Sequence, residues 1–176
     1  VIVVKNGSES DSVLEKGKLT IYEITKPGLD NARNFGVRHA KGEIVAFIDD
    51  DAIASSNWVS SLSKSHSQIK APVIGGKVLP RWPKSGKPAW ISGILLAYLS
   101  ILDGYSDHPT PVHPLDWLAG ANISFKKYIF EKVGYFDDEL DRKEKILLSS
   151  GEVDLCNRIR EKGYEIIFDP SLVVEH

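Results

Sequence analysis

Apolar and polar positions along the first 79 residues form short blocks that predict strands separated by turns and helices. The predicted strands are residues 1–4, 19–24, 43–48 and 73–79, each rich in apolar residues and bounded by polar or glycine-containing turns. Two helices are predicted between them, one capped by Asp30 and ended by Gly42, the other capped by Ser56 or Asn57. This alternation is typical of an α/β sheet with right-handed crossovers.

The pattern changes after residue 79. Residues 89–102 are almost entirely apolar, but this segment of 14 residues is too short to cross a bilayer. We expect a helix packed on the sheet, with a helix lying on a membrane surface as the alternative. Helices are also predicted at about 126–133 and over 149–163, where Asp154 and Arg158 are spaced for an ion pair, and residues 165–170 and 172–176 are predicted as two extended segments.

Length, charge and cysteine content narrow the class of protein. A chain of 176 residues fits one domain, and its net charge of −2, with no basic stripe, argues against nucleic acid as a partner. The single cysteine excludes an internal disulfide and suits the reducing cytoplasm, and we expect no secretory signal peptide. Because the pattern begins abruptly and the chain contains no methionine, we expect an upstream strand and helix to be missing from this sequence.

Three consecutive aspartates, Asp49 to Asp51, follow the strand predicted at 43–48. Neighbouring carboxylates repel one another unless a positive charge lies between them. In an open α/β sheet, ligands bind beyond the carboxyl ends of the strands, where these aspartates lie. A divalent metal site is therefore the leading interpretation, and a turn with a helix cap is the alternative.

The ordered motifs of the chain closely resemble those of the family 2 glycosyltransferases. They read "VKNGS", "ARNFGVRHAKGEIVAFIDDD", "GANISFKKYIFEKVGYFDDEL" and "GEVDLCNRIREKGYEIIFDPSLVVEH", and they span nearly the whole chain. The resemblance implies the GT-A fold, an α/β architecture with a mixed sheet flanked by helices. It implies one catalytic domain over 1–176 that lacks its first strand and helix, with a nucleotide-binding half at 1–79 and an acceptor-side half at 80–176.

The same resemblance implies a reaction. A sugar would pass with inversion from a nucleotide-diphosphate sugar, a UDP-sugar being favoured, to a hydroxyl of a saccharide or lipid-linked acceptor. Mn²⁺ or Mg²⁺ would stabilise the charge that develops on the diphosphate leaving group. The family's D-x-D motif maps its direct metal ligand onto Asp51, with Asp49 on the metal or the ribose, and His176 falls where some GT-A enzymes place a further ligand.

Other site residues follow from the resemblance. Donor contacts map onto Asn6 and Arg33 as well as Asp49 and Asp50; an exposed helix arginine is the alternative reading of Arg33, and Lys5 replaces the family's usual aspartate. The sugar or acceptor would approach Gly120, Ala121 and Asn122. We expect Trp117 either to stack on a sugar ring or to be buried. The histidines other than His176 are expected to be solvated or capping residues: His39, His66, His108 and His113.

Inversion needs one general base. The resemblance places it at the start of the helix predicted at 149–163, where Glu152 takes the base position, Gly151 replaces the family's first acid and Asp154 is the alternative. A purely structural reading also exists, because Ser149 and Glu152 have the spacing of a capping box. We favour Glu152 as base because Asp154 is expected to pair with Arg158.

Two other classes of protein are the alternatives to a glycosyltransferase. A phospho-acceptor signalling domain also clusters aspartates around Mg²⁺, although such a fold has no place for the motifs at 120–122 and 151–155. A non-catalytic relative that binds nucleotide poorly is the other alternative. A peripheral membrane contact through residues 89–102 would place an active enzyme at the inner face of the membrane.

Overall fold

The structure, a computed structural model, describes residues 1–140 and 151–176, with the side chain of Ile94 excepted. Within these residues the strands are β1 (Ile2–Asn6), β2 (Ser12–Lys16), β3 (Leu19–Ile24), β4 (Ile44–Phe47), β5 (Ile53–Ala54), β6 (Val73–Leu79), β7 (Thr110–Pro111), β8 (Ile123–Lys126) and β9 (Ile166–Glu175). The helices are α1 (Leu29–His39), α2 (Trp58–Gln68), α3 (Gly93–Tyr98), α4 (Ile129–Val133) and α5 (Gly151–Glu161). The chain divides into two compact units, Val1–Val45 with Lys127–Arg158, and Ala46–Lys126 with Ile159–His176.

The first unit contains a three-stranded sheet in the order β1-β3-β2. β1 and β3 are parallel, whereas β2 runs antiparallel to β3 along its outer edge. α1 packs on β1 and buries Val37 completely. It begins after Gly28, whose φ of 119° lies in the region that favours glycine. The sheet and α1 therefore hold the loop between β3 and α1 in a fixed place.

The second unit is built on a mixed sheet in the order β4-β8-β6-β9-β5, with β7 paired to β9. β6 lies at its centre, parallel to β9 and antiparallel to β8. The register of β9 against β6 shifts between Gly75 and Lys77. Gly76 is required at this irregularity, because a Cβ there would lie 2.2 Å from the carbonyl oxygen of Leu172. Close approach of the two backbones thus depends on glycine.

α2 covers one face of this sheet. Trp58 and Leu62 of α2 pack on Ile74, Leu172 and Val174 in one buried cluster. A second cluster joins four buried residues: Val78, Ile101, Ala119 and Ala121. Burial of each valine, leucine or isoleucine in these clusters is worth about 1.5–3 kcal/mol, so the clusters supply much of the unit's stability.

Most predicted elements are present, but several bounds differ. Asp30 lies in the first turn of α1 instead of capping it, and the helix ends at His39, not at Gly42. β2, β5, β7 and β8 were not predicted. β2 has no buried residue, so its sequence lacks the apolar alternation of a half-buried strand. The two extended segments predicted near the end of the chain form one strand, β9, which continues through Pro170 beside the register shift.

The prediction that residues 89–102 form a helix packed on the sheet is wrong for most of the segment. The helix there, α3, has only six residues, because Ser100 adopts a φ of 58° just beyond its end. Ile91 and Ile101 are buried, but Trp90 and Tyr98 are 74% and 84% exposed. The segment is therefore not a helix buried against the sheet along its length.

His66 was expected to be solvated or capping, and this expectation is also wrong. The residue is buried in α2, and its Nε2 lies 2.8 Å from the hydroxyl oxygen of Ser124. Because that hydroxyl donates to the carbonyl of Ile74, it must accept from His66, so the ring is the neutral Nε2–H tautomer. Burial, with a smaller contribution from the Lys126 charge, lowers the pKa of His66 to about 4.

We predict that His66 makes the domain acid-sensitive. The unfolded chain binds a proton at His66 below a pKa of about 6.5 while the folded chain binds it only near 4, so stability is full above pH 6.5 and is lost as the pH falls toward 4. Unfolding in urea at several pH values measures this slope. His66→Gln should flatten it between pH 5 and 6.5, whereas His108→Gln, at an exposed position, should not. An unchanged slope in His66→Gln would contradict the assignment.

Candidate active site

The three aspartates form a turn directly after β4. The N–H of Ala52 donates to the carbonyl of Asp49 at 3.1 Å, which closes the turn. Asp49 is partly buried, whereas Asp50 and Asp51 are exposed. The turn thus presents carboxylates at the end of a strand, as the sequence predicted.

His176 is the second element of this site and belongs to the same unit. Its N–H donates to the carbonyl of Leu79, and its own carbonyl accepts from the N–H of Arg81, both at 2.8 Å. The residue is therefore held against the end of β6, and its side chain is only 20% exposed. Its Nδ1 lies 3.2 Å from the carbonyl of Leu99, and its Nε2 lies 3.1 Å from Oδ1 of Asp51.

Asp49, Asp51 and His176 offer ligand atoms that all lie within 4.8 Å of one another. A carbonyl oxygen can only accept, so Nδ1 of His176 carries the hydrogen that it shares with Leu99. A neutral imidazole then turns the lone pair of Nε2 toward a carboxylate oxygen of Asp51. Two acceptors 3.1 Å apart require a cation between them, either a proton or a metal ion. The donor set of two carboxylates and one imidazole therefore fits a divalent cation.

Arg33, in the first unit, is buried and so is not an exposed helix arginine. Its guanidinium lies 2.9 Å from Oδ1 of Asp30 and 3.2 Å from Oε2 of Glu152. It also stacks over the ring of Phe136 at 5.5 Å. Two carboxylates and an aromatic ring thus surround the positive charge on these sides. Its predicted contact with the donor diphosphate stays a prediction.

Glu152 and Asp154 both lie in the first turn of α5, but their partners differ. Asp154 is paired with Arg158 at 2.7 Å, as the spacing predicted, and the same guanidinium bonds to the carbonyls of Val133 and Tyr135. Glu152 shares Arg33 with a second carboxylate, and its side chain is 16% exposed. Ser149, the other half of the predicted capping box, lies outside the described residues.

Two asparagines of the motifs fix loops in the first unit. Asn34 donates to the carbonyl of Phe136 at 2.8 Å and accepts from its N–H at 3.0 Å. Asn6, at the end of β1, accepts from the N–H of Gly28 at 3.0 Å. Sequence reasoning did not assign Asn34 this role, because its partner lies 102 residues away. Nucleotide contact by Asn6 stays a prediction.

The turn Gly120–Asn122 is buried in the second unit. The amide of Asn122 donates to the carbonyls of Lys77 and Leu172 and accepts from Nε1 of Trp58 at 2.9 Å. Both of its amide hydrogens are therefore used within the protein, where they join β6, β9 and α2. Trp117, just before this turn, is half-buried beside Ala119 and Ala121. Contacts of Gly120, Ala121, Asn122 and Trp117 with a sugar stay predictions.

Comparison with known protein families assigns the chain to a family. The family model described as Glycosyl transferase family 2 matches residues 1–134, about three quarters of the chain. The chain belongs to glycosyl transferase family 2. This membership excludes a phospho-acceptor signalling domain, the alternative class that shares aspartates at strand ends.

Two of the curated relatives that this chain matches are named as glycosyltransferases. The chain is 30% identical over 152 residues to the glucosyl-dolichyl phosphate glucuronosyltransferase of Haloferax volcanii, covering 85% of this chain and 47% of that protein. It is 24% identical over 209 residues to a probable N-acetylgalactosaminyltransferase 7 of Caenorhabditis elegans, covering all of this chain and 33% of that protein. The chain thus spans a third to a half of the length of these relatives.

Solved structures confirm the GT-A fold. GalNAc-T7 with UDP, GalNAc and Mn²⁺ superposes with a TM-score of 0.66 at 18% identity, covering 91% of this chain and 32% of that one. The mannosyltransferase PcManGT of Pyrobaculum calidifontis with GDP-Man and Mn²⁺ gives a TM-score of 0.58 at 21% identity, covering 90% and 39%. Within the described residues, no helix combines the length and apolar character that crossing a bilayer requires.

Proposed function

We propose that this domain transfers a sugar, with inversion, from a nucleotide-diphosphate sugar to an acceptor hydroxyl in a reaction that uses a divalent cation. The observation that carries the proposal is the cluster of Asp49, Asp51 and His176 at the end of β4. Family membership supports the reaction class, and the two structural neighbours that were solved with Mn²⁺ and a nucleotide support the cation and the donor. A non-catalytic nucleotide-binding relative is the competing proposal.

The cation would be held by the two carboxylates and Nε2 of His176. Bound there, it supplies positive charge where the diphosphate leaving group becomes more negative. Carboxylates accept either Mg²⁺ or Mn²⁺, but an imidazole ligand favours the transition metal, so we propose Mn²⁺ as the preferred ion. The exposed Asp50, with Asn6 and Arg33, is proposed to contact the donor, and a UDP-sugar is favoured.

Glu152 is proposed as the general base. Asp154 is less suited because Arg158 neutralises it and is itself fixed by two backbone carbonyls. The charge on Arg33 is instead divided between Glu152 and Asp30. The start of α5 also favours the ionised carboxylate, which is the form that accepts a proton.

The acceptor is proposed to be lipid-linked and reached at an anionic membrane surface. Residues 80–102 carry three basic residues and no acidic one, namely Arg81, Lys84 and Lys87, all exposed. Trp90, Tyr98 and Leu99 of the same segment are exposed large apolar residues. Basic and aromatic side chains together suit the interface of an anionic bilayer, and the Haloferax relative is named for a dolichyl phosphate substrate.

Asp51→Asn should abolish Mn²⁺-dependent binding of UDP without unfolding the domain, because the side chain of Asp51 is 74% exposed. Thermal shift with UDP, with and without Mn²⁺, measures this, since a ligand stabilises the fold by RT ln(1 + [L]/Kd). Asp107→Asn, at a 97% exposed aspartate of the same unit outside the cluster, is the matched control and should keep the full shift. Asp50→Asn, at a proposed donor contact that is not in the metal cluster, should lose less of the shift than Asp51→Asn. Unchanged metal-dependent binding in Asp51→Asn would mean that the aspartates form only a turn.

Glu152→Gln should lower turnover by about 10²–10⁴-fold and leave donor affinity nearly unchanged, because glutamine keeps the size of the side chain but cannot accept the proton. Steady-state kinetics with the donor found by thermal shift tests this. Asp154→Asn is the comparison variant. Normal turnover in Glu152→Gln together with loss in Asp154→Asn would place the base at Asp154.

The double variant Trp90→Ser, Tyr98→Ser should weaken co-sedimentation with vesicles that contain phosphatidylglycerol, because it removes the apolar part of the interface. Val59→Ser, at another exposed apolar position of the same unit, is the matched control and should bind as the parent does. Binding that is equal in all three proteins, or absent from the parent, would contradict the membrane contact.

A further inference from the structure

Gly151, the first residue of α5, lies against the carboxylate of Asp30. A Cβ at position 151 would be 1.9 Å from Oδ2 of Asp30 and 2.5 Å from its Cγ. The backbone of Gly151 is helical, so conformation alone does not require glycine there. The volume of a side chain at 151 is instead occupied by a carboxylate from α1, 121 residues earlier in the chain.

The carboxylate of Asp30 is tied to Glu152 through one guanidinium. Asp30 is 1% exposed, and Arg33 bridges its Oδ1 at 2.9 Å and Oε2 of Glu152 at 3.2 Å. Each carboxylate lies in the first turn of its helix, where the helix dipole favours negative charge. The two helix starts are thus joined by two carboxylates and one guanidinium, of which Asp30 and Arg33 are buried and Glu152 is partly buried.

We propose that Asp30 is a positioning residue for Glu152. The carboxylate of Asp30, which is carried by α1, occupies the space that a side chain at position 151 would fill. It also accepts one of the hydrogen bonds that Arg33 donates. Without Asp30, Nη1 of Arg33, which contacts both carboxylates, would be drawn toward Glu152 alone, and Glu152 would turn away from an acceptor. The inference rests on the proposed function, in which Glu152 is the base.

The arrangement predicts that the carboxylate can be moved from position 30 to position 151. Asp30→Ala opens the volume beside Gly151, and Gly151→Asp refills it with a carboxylate carried by α5. Gly151→Ala alone should be strongly destabilising, because its new methyl group meets the buried carboxylate. In an Asp30→Ala background the same change should cost little.

The test combines unfolding temperatures with steady-state kinetics. Gly151→Ala should lower Tm by at least ~3 °C in the parent and leave it unchanged within error in Asp30→Ala. Asp30→Asn, which keeps the shape of the side chain, should lower kcat by about 10–100-fold with little change in the donor KM. The exchange variant Asp30→Ala, Gly151→Asp should recover most of the kcat that Asp30→Ala loses. Glu131→Gln, an exposed carboxylate-to-amide change in the same unit, should alter neither quantity.

Additive Tm losses at 30 and 151, or an Asp30→Asn variant with the kcat of the parent, would overturn the inference and leave the proposed function standing. An exchange variant that regains Tm but not kcat would show a purely structural role and would also overturn it. A parent that turns over no nucleotide sugar would instead contradict the proposed function, and the positioning role would fail with it. The comparison of Tm values for Gly151→Ala in the parent and in Asp30→Ala needs no turnover, so the steric contact between positions 30 and 151 is measured in either case.

Discussion

The pairing of β9 with β6 is the constraint on which the candidate metal cluster depends. Leu79 and Arg81 bind the backbone of His176 on both sides and bring its imidazole to Asp51. The carbonyl of Leu99 then fixes which ring nitrogen carries the hydrogen. A histidine at the end of an unpaired strand would sample many positions, and the two aspartates alone would be a poorer site for a transition metal.

Elsewhere in each unit, buried polar side chains fix the positions of loops and strands through hydrogen bonds. Asn122 joins three elements through a single amide, and Gly76 leaves room for it, since a Cβ there would lie 2.7 Å from its Nδ2. In the first unit, Asn34 fixes Phe136, and Arg33 stacks on the ring of that residue. Asn122 and Arg33, which the family resemblance assigns to ligand contacts, thus also hold neighbouring segments of the protein in place.

Sequence alone predicted the elements whose signal is local. The apolar runs of β3, β4 and β6, the start of α2 after Asn57, and the three aspartates were all readable in this way. β2 was not predicted because none of its residues is buried. The exposure of Trp90 and Tyr98 was not predicted because an apolar composition does not indicate which residues of a short helix are covered. The contact between Asp30 and Gly151 depends on tertiary structure, and no local pattern indicates it.

Pulsed electron paramagnetic resonance of Mn²⁺ bound to the domain with UDP tests the central claim most directly, because it detects the nuclei bonded to the ion. We predict a coupling from one directly bound histidine nitrogen, which ¹⁵N-labelling of histidine shifts, together with couplings from the phosphorus atoms of UDP. The nitrogen coupling should vanish in His176→Gln and persist in His113→Gln. A Mn²⁺ signal without nitrogen coupling, or with one that survives His176→Gln, would contradict the account.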